Sequence, residues 1–134
     1  MSSENLQVLR DGYGAFARQD LPAVLAAFDE RIEWTTPDSL PFGGVRHGHE
    51  EVTAFFGELA ARWQELSVEP EEFVDAGDTI VVLARLRATG GGGSLDAGAA
   101  HVWRMRDGKA VAFTEYTDTA RALQALGQGV AASA

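Results

Sequence analysis

His101 and Glu115 are the two residues of this chain whose types and spacing best suit proton chemistry. They stand on runs that flank Arg106-Asp107-Gly108. Asp-Gly is a hairpin signal because Gly accepts the positive φ that a tight turn demands. The flanking runs are rich in Val, Phe, Trp, Tyr and Thr, which suit a pleated, half-buried surface. A three-residue loop pairs Met105 with Lys109 and sets His101 opposite Phe113. Strand alternation then gathers Leu95, Ala97, Ala99, His101, Trp103 and Met105 on one face, across from Val111, Phe113, Glu115 and Thr117. This is the apolar face, so it is expected to look into the core and to carry one imidazole and one carboxylate with it. A two-residue loop is expected to separate His101 from Glu115 across the sheet.

A carboxylate and an imidazole in an apolar setting can share or relay a proton, which suits abstraction beside a carbonyl. The bland alternative has His101 bonding a backbone carbonyl while Glu115 pairs with Arg85 or Arg87. Both readings stay open on spacing alone. The opposite face carries Arg104, Thr114, Tyr116 and Asp118, a mixed polar and aromatic surface suited to subunit contacts, with Asp118 placed to cap a helix from Thr119. Other motifs are weaker. His47-Gly48-His49 has no Cys and no clear third ligand, so it reads as a surface loop rather than a metal clip. Gly90 to Gly93 lacks the Lys-Ser/Thr of a phosphate loop.

The elements that must position these residues follow in order. Residues 3 to 18 carry Leu6, Leu9, Tyr13, Phe16 and Ala17 at helical spacing after a capping Ser3. Gly12 and Gly14 weaken that helix, which predicts a close approach of its backbone to a neighbour. Asp20 caps a second helix, with Pro22 in its first turn and Val24, Leu25 and Phe28 inward. Arg31 to Thr36 alternates as a strand. Pro37 to Gly48, with its prolines and glycines, is expected to be irregular. A third helix runs from His49 or Glu50 to about Leu66, with Val52, Phe55, Phe56, Leu59, Ala60 and Trp63 inward. Strands are expected at Ser67 to Asp75 and Thr79 to Ala88, then a flexible TGGGGS connection, then the hairpin. Thr119 to Leu126 reads as a short terminal helix, and 127–134 as a frayed tail.

Helices early and an antiparallel meander late give an α+β fold, helices covering the concave face of a curved sheet. Such a cone encloses a cavity suited to a small molecule. The chain has 134 residues, is 46% hydrophobic and contains no cysteine, which fits one domain over 1–134 and excludes disulfides and thiolate chemistry. A net charge of −9 argues against nucleic acid and anionic membranes as partners. Without an apolar leader or span, the expected location is the cytoplasm.

Three stretches, YGAFARQDLPAVLAAF, IEWTTPDSLPFGGVRHGHEEVTAFF and HVWRMRDGKAVAFTEYTDTA, together resemble the SnoaL-like polyketide cyclase group. That group lies within the nuclear-transport-factor-two-like and ketosteroid-isomerase-like superfamily. The resemblance implies a cone of curved sheet and three helices, commonly dimeric, with its ligand in the cone. It implies an acid on the last strand and a His on the strand before, where Glu115 and His101 stand, with Glu for the usual Asp. Two other branches match less well. The epoxide hydrolases need an Arg-x-Asp pair, and this chain has Arg85-Leu86-Arg87. The steroid isomerases place a carboxylate before the first-strand proline, and this chain has Thr36-Pro37. Their second acid aligns with Ala100, and their Tyr with Gly12 or Tyr13.

The reading that results is a cone that binds a small, apolar, carbonyl-bearing ligand. Glu115 is its base and His101 the partner, in an isomerase- or cyclase-type proton transfer without metal or organic cofactor. Tyr13, Phe16, Trp34, Phe55, Phe56, Trp103 and Phe113 line the pocket, and a homodimer forms through the outer sheet face. The competing reading is a non-catalytic binding or dimerisation module with Glu115 merely ion-paired.

Overall fold

The computed structural model describes residues 2–38, 40 and 42–117; the expected terminal helix, the Asp118 cap and the tail lie outside them. Helix α1 (Ser2–Ala17) and helix α2 (Leu21–Ala26) open the chain. Strands β1 (Phe28–Thr36) and β2 (Gly44–His47) follow, then helix α3 (Gly48–Arg62). Strands β3 (Glu65–Ala76), β4 (Thr79–Gly90), β5 (Gly93–Arg106) and β6 (Lys109–Tyr116) complete a 6-stranded sheet of order β2-β1-β6-β5-β4-β3. Only the β1–β6 contact is parallel among these pairs. This is the expected α+β architecture, a mixed sheet with helices against its concave face. No helix among the described residues is long and apolar enough to cross a membrane.

Local chemistry explains most boundaries. α1 already includes Ser2, so Ser3 lies inside its first turn instead of capping it. The helix ends at Gln19, held at φ 60, where the Asp20 N–H reaches back to the Ala15 carbonyl. Asp20 then caps α2, its carboxylate accepting the Ala23 N–H at 3.3 Å. At the start of α3 the Glu51 carboxylate accepts the His47 N–H at 2.8 Å, close to the positive end of the helix dipole. The expected close approach at Gly12 and Gly14 is absent. A β-carbon at Gly12 would stand 3.9 Å from the Ala27 methyl, an ordinary contact, and one at Gly14 would meet only the flexible Arg18 side chain.

Several expected elements are corrected by long-range pairing. Phe28 is the first residue of β1 and not the last of α2, because Phe28 pairs with Ala110 of β6. Gly44–His47, expected to be irregular, forms an edge strand against Glu33–Thr36, which supplies the hydrogen bonds that a Gly-rich segment lacks by itself. Helix α3 stops at Arg62, Trp63 is extended, and Leu66 belongs to β3. The TGGGGS connection is no flexible loop. β4 and β5 run through it to a tight turn at Gly91-Gly92, whose φ angles of 56 and 83 glycine adopts freely.

The β5–β6 hairpin matters most. Its loop is two residues, Asp107-Gly108 with φ 53 and 75, and Arg106 pairs with Lys109. These paired positive φ angles mark the tight turn that matches strand twist. Continued without interruption, that register would part His101 from Glu115. A bulge intervenes. Met105 pairs with Ala110 and Arg104 with Ala112, so Val111 is the extra residue on β6. The expected three-residue loop and the His101–Phe113 pairing are therefore both corrected. The bulge restores the expected facing and brings His101 directly opposite Glu115. It also puts Ala110, where Val111 was expected, in the core beside Met105.

The core lies between the helices and this face, where Leu9, Val24, Ile32, Val52, Ile80 and Val82 are all nearly inaccessible. A second, smaller cluster of Val81, Ala100 and Val102, joined by Leu83 and Tyr116, forms separately.

Candidate active site

β5 and β6 present His101, Trp103, Phe113 and Glu115 to one cavity. α1 adds Tyr13 and Phe16, β1 adds Trp34 and Thr36, and α3 adds Phe55, Phe56 and Leu59. The cavity measures about 120 Å³. Apolar cavities of about 150 Å³ are known to take benzene. Every residue expected at the site therefore lines a single space. Residues that the sequence did not assign to the pocket line it as well: Gly12 of α1, Leu66 and Val68 of β3, Leu86 of β4 and Leu95 of β5. Leu86 and Leu95 could have been found from their alternation with the core positions of the same strands. Gly12 gives no such signal.

The walls are apolar, built from aromatic and aliphatic side chains together. Trp34 stacks on Phe113 with centroids 3.9 Å apart, and Phe56 meets Trp34 edge-on at 5.4 Å. Trp103 tilts against Phe113 at 4.5 Å. Such pairs hold the wall rigid as well as apolar.

Into this wall one polar chain is set. His101 Nε2 lies 2.8 Å from Glu115 Oε2, with the two side chains only 5% and 11% exposed. On the other side of the imidazole, Tyr13 Oη stands 2.6 Å from His101 Nδ1, and Trp103 Nε1 donates to Tyr13 Oη at 3.0 Å. Four side chains from two strands and a helix thus form one series, Trp103–Tyr13–His101–Glu115. The Tyr13 ring lies nearly parallel to the imidazole, 3° between planes. Burial around its hydroxyl holds the phenol pKa well above its ordinary value; the Trp103 hydrogen bond acts the other way, and the Glu115 charge adds to the rise. Tyr13 therefore keeps its proton throughout the neutral range. The sequence placed Tyr13 in the pocket but did not join it to His101, because the two are 88 positions apart.

The expected arginine partners of Glu115 are elsewhere. Arg85 bonds Asp96 at 2.8 Å and Arg87 bonds Glu69 at 3.2 Å, all of them solvent-accessible. The alternative in which either arginine neutralises Glu115 is thereby corrected, since alternation along β4 turns both away from the Leu86 face. The imidazole of His101 bonds side chains on both nitrogens, which corrects the backbone-carbonyl alternative as well. His47 and His49 diverge. His47 faces Glu33 at 3.5 Å, whereas His49 Nε2 donates to the Phe28 carbonyl at 3.0 Å.

Residues 9–113 match the model of the SnoaL-like domain, a span that takes in Tyr13, His101 and Trp103 and ends just before Glu115. An NTF2-like protein of unknown function from Burkholderia pseudomallei superposes with a TM-score of 0.80 at 41% identity, covering 92% of this chain and 97% of its own. TerC, co-crystallised with polyporic acid, gives a TM-score of 0.80 at 26% identity, over 90% of this chain and 96% of its own. An uncharacterised protein of Mycobacterium tuberculosis is 29% identical over 114 residues, 84% of this chain and 87% of that protein. With the match to its model running over most of the sequence and the cone architecture in place, this chain belongs to the SnoaL-like domain family.

Proposed function

We propose that the cone binds a small, largely apolar, carbonyl-bearing molecule and that Glu115 takes a proton from it, with His101 as partner. The observation that carries this reading is the His101–Glu115 pair at 2.8 Å in an otherwise apolar wall. An acid–imidazole pair in a largely apolar pocket is suited to move a proton within a bound ligand, the step shared by isomerisation and cyclisation. The proton leaves the ligand for Glu115 and returns to a different atom of it, so the reaction is redox-neutral. Tyr13, Phe16, Trp34, Phe55, Phe56, Trp103 and Phe113 are the proposed ligand contacts. That TerC was co-crystallised with polyporic acid supports a small-molecule ligand for this chain.

The test is a screen of conjugated carbonyl compounds for binding by calorimetry, then for turnover. Glu115→Gln is expected to lower turnover by about 10²- to 10⁴-fold, well beyond any change in affinity. Equal turnover by the variant would remove Glu115 from the role.

We further propose a homodimer through the outer sheet face, where Arg104 is exposed and Thr114 and Tyr116 are half-buried. Sedimentation at micromolar concentration is expected to give a dimer, and a monomer alone would overturn it.

A further inference from the structure

The hydrogen-bond inventory at the polar end of the cavity is decisive for the type of ligand. Trp103 Nε1 can only donate, so Tyr13 Oη accepts from it. The hydroxyl proton of Tyr13 then has one acceptor in reach among the described residues, His101 Nδ1 at 2.6 Å. With Nδ1 accepting, the imidazole proton is on Nε2 and is donated to Glu115 Oε2 at 2.8 Å. The opposite assignment, with a proton on Nδ1, gives Tyr13 Oη two donors and leaves its own buried proton without an acceptor, which is costly. Each donor of the series is thus spent on its neighbour.

Among the other lining side chains Trp63 carries an indole N–H, but Trp63 packs against Gly90, eight positions along β4 from Val82, the cross-strand partner of His101, and so stands away from the polar end. Thr36 Oγ1 donates to the Phe42 carbonyl at 3.1 Å and accepts from Arg46 at 3.3 Å. Trp34 Nε1 has no partner among the described residues, but the atom is fully buried and out of a ligand's reach. No Arg or Lys lines the cavity among the described residues. Arg46 lies over the Phe55 ring at 4.3 Å and Arg62 over the Trp63 ring at 4.4 Å, each behind a lining residue. What remains at this end is the second oxygen of Glu115, an acceptor.

We infer that the polar end of this cavity accepts hydrogen bonds and donates none, so that its ligand is a mostly apolar molecule presenting a hydroxyl or N–H donor to Glu115, and that carboxylates and simple carbonyl groups are rejected there. The inference rests on the reading of the cone as a ligand site and sharpens it. A carbonyl on the ligand lies away from Glu115. Once Glu115 has taken the proton, its own O–H is the donor that faces the anion at that end, and the remaining charge spreads over the ligand's own conjugated system.

The test uses four matched compounds, 2-naphthol, 2-naphthylamine, 2-naphthoate and 2-naphthaldehyde, titrated by calorimetry against the full chain. The naphthol and the amine are expected to bind about tenfold or more tighter than the aldehyde and the carboxylate. Glu115→Gln, which adds a donor, is expected to erase that preference. An aldehyde or carboxylate that binds as tightly as the naphthol overturns the inference. A second measurement needs no ligand. Nitrogen-15 NMR of the His101 ring, assigned by its loss in His101→Asn, is expected to show the proton on Nε2 and a bare Nδ1. A proton on Nδ1 frees the Tyr13 hydroxyl to donate to a ligand and overturns the inference independently. If no compound binds while the Nε2–H form is seen, the ligand-site reading itself has failed, and the inference falls with it.

Discussion

Tyr13 joins two partners through a single oxygen, so its replacement tests the series more sharply than loss of any one contact elsewhere. Tyr13→Phe keeps the ring against Phe73, its edge-on neighbour at 6.0 Å, and removes only the hydroxyl. Trp103 Nε1 and His101 Nδ1 then lose their partner together. Unsatisfied buried groups cost about 1–3 kcal/mol each, so urea unfolding should show a loss of about 2–6 kcal/mol. The raised pKa of Tyr13 makes a separate prediction. Below pH about 10 both native and unfolded chains hold the phenol proton, and its contribution to stability is fully present. Above about 10 the unfolded chain releases that proton while the native one keeps it, so the unfolded state binds fewer protons and stability falls as pH rises. Urea midpoints measured from pH 8 to 11 (a range of about three units around the free phenol value) should fall more steeply in the natural chain than in Tyr13→Phe. Equal slopes would place the Tyr13 hydroxyl in contact with solvent.

At the scale of elements, glycines divide into those the backbone requires and those it does not. Gly90 has φ 150, and a β-carbon there would meet the Gln64 backbone nitrogen at 2.6 Å, so Gly90→Ala should destabilise markedly. Gly12 lies inside α1 with only an ordinary contact in view, and Gly12→Ala should stabilise by about 0.5–1 kcal/mol through helix propensity. Thermal unfolding of the two variants side by side checks the contrast. The Val111 bulge is tested by deletion. Without Val111 the extra residue is gone and the ladder runs on evenly, Met105 with Ala110, Arg104 with Ala112 and His101 still opposite Glu115. The expected result is a retained His101–Glu115 hydrogen bond with an unchanged nitrogen-15 signature of His101, and a changed signature would mean that the bulge itself, beyond the strand register, holds the pair.

Across the whole molecule, one aromatic assembly is both core and cavity wall. Phe113 stacks on Trp34, tilts on Trp103 and meets His101 edge-on at 5.0 Å. Truncating a buried Phe to Ala costs about 3–5 kcal/mol, and Phe113→Ala should sit in that range by chemical denaturation while enlarging the cavity. A cost well below it would mean that the wall collapses into the space. Core and cavity wall share these rings, which is why stability and ligand space are expected to vary together here.

Much of this protein was legible in the chain itself. Period-two alternation assigns His101, Trp103, Phe113 and Glu115 to one face, since successive strand residues point oppositely whatever lies beyond them. Helical spacing similarly turns Leu9, Val24, Val52 and Phe55 inward. The α+β order and the family resemblance rest on such local signals. Tertiary pairing decided the rest. The two-residue turn at Asp107-Gly108 and the Val111 bulge offset one another, and a bulge exists only relative to a partner strand, so alternation along one chain does not reveal it. Gly44–His47 became a strand because β1 offered an edge, and Gly90 to Gly93 became a turn because β4 and β5 paired up to it. Tyr13 met His101 only when α1 was laid across the sheet. A contact spanning 88 positions leaves no periodic trace in a sequence, because it depends on where whole elements come to rest.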